Sequence, residues 1–268
     1  MKLEKIYQYI DSVAPYSIQL DYDNSGLILG SMDMEVKRVL VALDVTMEVA
    51  KEAVAKKCQL IVSHHPLIFH GLRSITPGDP TGAVVLELSR HGVGVISAHT
   101  NLDQVFGGVS FALMKRLGVR QSTILEEAGK IGPAAYLRPY GMGAAGQMEE
   151  EMAPKDFVKH VKTALGAKGV RASLGNRPVK ALAVCGGAGG DLLDKAVAWG
   201  ADALVTADVK YHQFLEAYQR GITLVDAGHF ATEDPAMDML WDYLKCAFED
   251  DGLEVLRSKK HKEVYFAP

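Results

Sequence analysis

The chain has 268 residues, 48% of them hydrophobic, enough to bury one large core or two ordinary ones, which excludes a disordered polymer. A formal net charge of −4 supplies no basic footprint, so nucleic acid is not an expected partner. The three cysteines, Cys58, Cys185 and Cys246, are widely spaced in apolar contexts without a CxxC pair, which reads as reduced thiols in a cytoplasmic protein.

In chain order, Leu3, Ile6, Tyr7, Ile10 and Val13 fall on one face of a first helix that Pro15 ends. Acids interrupt this N-terminal segment, unlike a secretory leader, and no 18-residue apolar run follows, so no membrane partner is expected. DYDNSGLILG, from Asp21 to Gly30, reads as a loop leading into a strand from Val36 to Val45. That run is almost continuously apolar, as in a strand buried on both faces. Thr46 caps a helix through MEVAKEAVAKK, and QLIVSHH is a second buried strand ending in two histidines, which completes a βαβ unit. A helix from Thr81 stops at Gly92, and VGVISAH is a third strand that also ends in histidine.

Residues 126–155 are rich in Gly, Pro and Ala and read as irregular, with AAYLRPY an edge strand at most. The domain transition is placed near 125, giving halves of 1–125 and 126–268, with the option that the C-terminal helix and strand pack back on the first half. KDFVKHVKTAL forms an amphipathic helix, and His160 on its polar side is expected to be solvated. A second βαβ series begins at Val179.

Self-comparison ties the halves together. VKRVLVALDVTMEVAKEAVAKKCQLIVS from Val36 aligns without gaps onto VKALAVCGGAGGDLLDKAVAWGADALVT from Val179, at a constant offset of 143 residues. HGVGVISAHTNLD, ending at Asp103, matches RGITLVDAGHFATE, ending at Glu233, after one inserted residue. Each copy gives H-x-x-x-[DE] at the C-terminal end of a strand, where open α/β sheets bind ligands, so the fold class is α/β with an internal duplication.

Of nine histidines, His64, His65, His99 and His229 directly follow buried strands. Any one of them is as well explained by ordinary packing, but the joint pattern is not. Where a strand ends and the chain turns, as Pro66 marks, adjacent rings of His64 and His65 can reach one cavity. Imidazoles with Asp103 and Glu233, and no thiolate, suit divalent zinc, iron, manganese or nickel. Five ligands, His64, His65, Asp103, His229 and Glu233, exceed one four-coordinate ion and suit two ions about 3.5–4 Å apart, bridged by a carboxylate and a water. Asp208, Lys210, Tyr211 and His212 occupy the repeat position equivalent to the His64–His65 pair and are candidates to line the same cavity, although a helix start explains them equally well. The CGGAGG run at 185–190 fits an anion cradle or simply a tight strand-to-helix turn.

Together SHHPLIFHGLRSI, SAHTNLDQVFGGVS, TADVKYH and DAGHFATE resemble the Nif-three-like family, whose bacterial members are often designated GTP cyclohydrolase 1 type 2 homologues. DYDNSGLILG, VKALAVCGGAGG and the C-terminal EVYFAP also look like family segments, so the resemblance covers almost the whole chain. It implies a three-layer α/β/α fold in two similar Rossmann-like halves, a dinuclear metal centre, and a homohexameric ring built as a trimer of dimers. The family's ligands fall on His64, His65, Asp103, His229 and Glu233, the set already selected from the residues. Because Asp103 is the family ligand of its segment, His99 is expected to hold Asp103 or to hydrogen-bond the bridging water. Residues 126–178 leave no room for the extra domain of long family members; Tyr22 stands where the family often has Trp, and Ala207 where it often has Gly.

The expected function is a metal-dependent hydrolase acting on a small molecule, with GTP the substrate suggested by the family designation. His99 or His212 would serve as acid or base, and Lys210 and Tyr211 are substrate-binding candidates. The alternative is a non-enzymatic metal-handling or regulatory protein using the same residues, in line with the transcription-factor partners linked to the family.

Overall fold

The computed structural model describes residues 1–133 and 135–265, which form a mixed α/β protein. The chain divides into two compact units, one of Met1–Leu102 with Met237–Lys262, the other of Asp103–Ala236 with Glu263–Pro268. Among the described residues no helix is long and apolar enough to cross a membrane.

The first unit opens with α1 (Leu3–Val13), which buries Leu3, Ile6 and Ile10 as their spacing predicts. β1 (Gly26–Leu29) follows, inside the segment expected to be a loop. Then come β2 (Arg38–Ala42), α2 (Met47–Ala55), β3 (Leu60–Ser63), α3 (Pro80–Arg90), β4 (Gly94–Ser97) and the short α4 (Thr100–Gln104), within which the division falls after Leu102. Thr46 caps α2 as expected, its hydroxyl accepting from the Val49 amide. Asp79 caps α3, which begins one residue before the expected Thr81.

The sheet order is β1-β4-β3-β2-β11, with β11 (Glu254–Arg257) parallel to β2. β2, β3 and β4 are parallel and β1 is antiparallel. All four residues of β3 and of β4 are buried, which accounts for their unbroken apolar runs.

The second unit contains α5 (Val109–Arg116), β5 (Ser122–Ile131), β6 (Arg138–Met152), α6 (Pro154–Leu165), β7 (Arg171–Ser173), β8 (Val179–Val184), α7 (Leu193–Trp199), β9 (Ala203–Thr206), α8 (Tyr211–Arg220) and β10 (Thr223–Asp226). Its sheet order is β5-β6-β8-β9-β10-β7. Helix α9 (His229–Phe248) starts here, and the division falls within it after Ala236, beside Pro235, which has no N–H for the helical ladder.

Sequence placed the transition near 125, whereas the compact units divide after Leu102. The reason is packing: Leu113 and Met114 of α5 are buried with Phe157, Leu182 and Val205 in the core of the second unit. The stretch expected to be irregular is a long antiparallel hairpin; Arg138–Tyr140 of the AAYLRPY segment pair with β5, and β6 meets β8 only from Ala144 on. Its glycines mark close backbone approach: a side chain at Gly141 would run into the Glu126 carbonyl on β5. Ala134, the first residue of the AAYLRPY segment, lies outside the described residues, as do the last three residues of EVYFAP. His160 is half-buried rather than solvated, its Nε2–H donating to the Leu117 carbonyl at 3.0 Å.

The repeat is visible within each unit's topology. β2-α2-β3-α3-β4 and β8-α7-β9-α8-β10 each form three parallel strands in sequence order. In both, the third strand also carries an antiparallel partner that precedes the repeat in the chain, β1 in one unit and β7 in the other.

Candidate metal centre

In the first unit, the ends of β3 and β4 are fixed by a 2.8 Å hydrogen bond between the buried hydroxyls of Ser63 and Ser97. Immediately beyond, the amides of His64 and His65 donate to the carbonyls of Ala42 and Leu43, which turns both side chains into one region. Their ring centroids are 5.0 Å apart, and His99, after β4, lies 5.1 Å from His64 and 5.5 Å from His65. One nitrogen from each ring lies within 4.8 Å of the others.

Each ring is held through Nδ1. The His64 Nδ1 is 2.8 Å from the Ala98 carbonyl, the His65 Nδ1 is 2.7 Å from Asp44, and the His99 Nδ1 is 2.8 Å from Asp23. Burial of Asp23 would raise its carboxyl. Hydrogen bonds from His99, Thr100 and Ser25 outweigh that and hold it well below the usual carboxylate range.

In the second unit, His229 and Glu233 stand one turn apart at the start of α9, with Nε2 of the first 3.2 Å from Oε2 of the second. The His229 Nδ1 is 2.7 Å from Asp208, which adopts a left-handed backbone at φ 53°. Carboxylate oxygens of Asp103 and Glu233 lie within 4.8 Å of each other. Gly187, at φ 64°, explains the glycine-rich run: a Cβ there would press on the Glu233 carboxylate and sit 3.2 Å from the His229 ring. Cys185 is buried, and its thiol is pushed up by burial and then by the charges of Asp103 and Glu233, so it is a neutral thiol beside the acids.

The tautomers follow from the partners. In His64, His65, His99 and His229, Nδ1 faces a carbonyl or carboxylate oxygen, so Nδ1–H donates and Nε2 is left to offer its lone pair. Metal-ligating histidines are held in this way. In His229 that lone pair approaches a carboxylate oxygen at 3.2 Å, a contact that only a shared proton or cation stabilises. The residues present therefore fit a divalent ion in their donor chemistry.

The sequence-selected residues divide as follows. His64 and His65 come together with His99 in the first unit; in the second, Glu233 lies beside both Asp103 and His229, the latter supported by Asp208. His99, expected to hold Asp103 or a water, instead donates to Asp23 and shares the space of the other two rings. Lys210, Tyr211 and His212 stand exposed at the start of α8. Asp23 and Asp44 were missed, although Asp44 follows β2 much as His64 follows β3.

An α/β protein with imidazoles and carboxylates at the C-terminal ends of its parallel strands, every ring anchored through Nδ1, belongs with the candidate metal-binding proteins. The chain is, specifically, a member of the Duf34/NIF3 (NGG1p interacting factor 3) family, whose sequence profile matches residues 1–263. A Clostridium acetobutylicum protein named GTP cyclohydrolase 1 type 2 homolog is 31% identical over 268 residues, covering 99% of this chain and 98% of its own. The crystal structure of a Bacillus cereus protein related to NIF3 superposes with a TM-score of 0.92 at 23% identity, over 100% of this chain and 99% of that one. A hypothetical protein of Staphylococcus aureus gives 0.90 at 29% identity, covering 99% of each chain.

Proposed function

We propose that the chain is a metal-dependent hydrolase in which His64, His65, Asp103, His229 and Glu233 hold two divalent ions of the zinc, iron, manganese or nickel class. What carries the reading is the shared anchoring of His64, His65, His99 and His229 through Nδ1. Ordinary packing satisfies a histidine through whichever nitrogen lies nearest a partner, whereas one tautomer repeated at strand ends of both units is what Nε2 ligation requires.

Divalent ions held there would supply Lewis acidity and lower the pKa of a water. The chain's own groups do the rest. Asp103 and Glu233 bring the negative charge that two neighbouring cations need. Asp44, Asp208 and the Ala98 carbonyl fix the rings against rotation. His99, with Nδ1–H given to Asp23, directs Nε2 into the space of His64 and His65, where it can hold or accept a hydrogen bond with a reacting group. The homohexameric ring and a small-molecule substrate belong to the same proposal; GTP appears in the relatives' name and is one compound to test.

A second reading, metal delivery to a partner, is favoured by one observation. The His229 and Asp208 side chains are 39% and 59% exposed, an open setting for a ligand and its support. Metal per chain, measured by elemental analysis on protein purified without a metal-affinity tag, tests the common part. Two ions are expected, falling to one or none in Asp103→Ala with circular dichroism unchanged; no metal after reconstitution would sink both readings. Turnover of phosphoesters, nucleotides or cyclic amides, lost in Glu233→Gln, separates hydrolase from delivery, for which rapid surrender of the ion to a chelator without turnover is expected.

A further inference from the structure

Beside His65 the first unit carries a cleft of about 430 Å³, lined by Asp44, Val45, Thr46, Met47, His65, Pro66 and, across it, the start of α3. The size is that of a small-molecule site. Its walls are mainly aliphatic, from Val45, Met47, Pro66, Leu67, Pro80 and Val84, and among the described residues its only titratable groups are Asp44 and His65, which hydrogen-bond each other. No Lys or Arg among the described residues lines it.

Two helices begin at this cleft, and helix starts attract anions. Here both starts carry a side-chain cap. The Thr46 hydroxyl accepts from Val49, the Asp79 carboxylate accepts from Gly82, and Pro80 has no N–H to offer. Glu48 in the first turn of α2, whose charge is offset by Lys51 and Lys262, and Asp79 at the cap of α3 stand at those ends without lining the cleft. A di- or triphosphate placed here would meet the Asp44 carboxylate and aliphatic walls instead of the Arg forks and Lys ammonium groups that bind phosphate.

We infer that this cleft receives an uncharged, largely apolar small molecule, which packs against Val45, Met47, Pro66 and Val84 and turns a polar edge toward Asp44 and His65. It deepens the proposed function by giving the substrate class, and it rests on that reading only for the metal at its His65 end. A nucleoside triphosphate is then not the ligand of this cleft.

Saturation-transfer NMR on the metal-loaded full chain tests it, with benzamide as the neutral probe, GTP as the anionic one, and Ala83→Phe as the filling variant. Ala83 is half-buried on the cleft wall of α3, so the added ring enters the cleft rather than the core. Benzamide should show transfer in the wild type, reduced at least fivefold in Ala83→Phe, with metal content and melting temperature kept; any GTP signal should be indifferent to the substitution. Thr81→Trp, on the same wall, gives the same readout should Ala83→Phe melt early. A benzamide signal that is absent from the wild type, or equal in the wild type and both filling variants, overturns the inference, and so does a GTP signal that filling removes. Metal-free wild type that still shows the filling-sensitive benzamide signal upholds the cleft and shows that its ligand is held without the metal, whose own reading stands or falls by metal per chain.

Discussion

The carboxylate of Asp44 touches His65 at a single nitrogen, yet it decides which nitrogen is offered to a ligand. In Asp44→Ala the ring is free to flip and to exchange tautomers, and metal affinity should fall about 10–100-fold with the fold intact, as for other outer partners of metal ligands. Competition against a chromogenic chelator measures this; unchanged affinity would mean that the anchoring has no bearing on metal. Cys58 gives a pH prediction free of the metal site. Burial pushes its thiol from 9.0 up to about 11. A raised folded pKa contributes stability that is present below the unfolded value and lost as pH rises through the folded one. Melting temperature should therefore fall more steeply between pH 9 and 11 in the wild type than in Cys58→Ala. At this scale His64, His65 and His229 were legible because a histidine after an apolar run is conspicuous in one dimension. Asp44 and Asp23 were not, because their partners are set by pairing: β2 must lie beside β3, and the Asp23 loop must reach the end of β4.

Among the elements, those with a clean period were found where sequence placed them. α1 buries Leu3, Ile6 and Ile10, and the parallel strands β2, β3 and β4 match their apolar runs. The β5–β6 hairpin was missed for a physical reason. Gly and Ala in a strand usually signal weakness, but here they let two backbones approach, so a sequence that looked like loop was selected for closeness. Gly141→Val should accordingly cost about 1–3 kcal/mol, the range for overpacking a tight contact, read as a lower denaturant midpoint. A neutral result would show that β5 can retreat from β6 without penalty. The repeat was legible in its helices and parallel strands. Its antiparallel flanks, β1 and β7, span only Gly26–Leu29 and Arg171–Ser173, too short to carry a period.

For the whole molecule, the membership of the two units matters more than their boundaries. The second unit takes nearly all its residues from one uninterrupted stretch, Asp103–Ala236, whereas the first is completed only by Met237–Lys262, which supplies β11. Chains ending after Ala236 should therefore keep a folded second unit but leave the apolar strand β2, RVLVA, with an open edge, and should sediment as aggregates where the full chain does not. Soluble monomers of that fragment would show that β11 is dispensable. The arrangement also sets a timetable for biosynthesis. A ribosome delivers Met1–Leu102 early, but β11, which covers the β2 edge, emerges about 150 residues later, after the contiguous second unit has been made. Through that interval the nascent chain carries a sticky edge, so chaperone dependence should track the delay before Glu254–Arg257 leaves the exit tunnel rather than the stability of the finished protein.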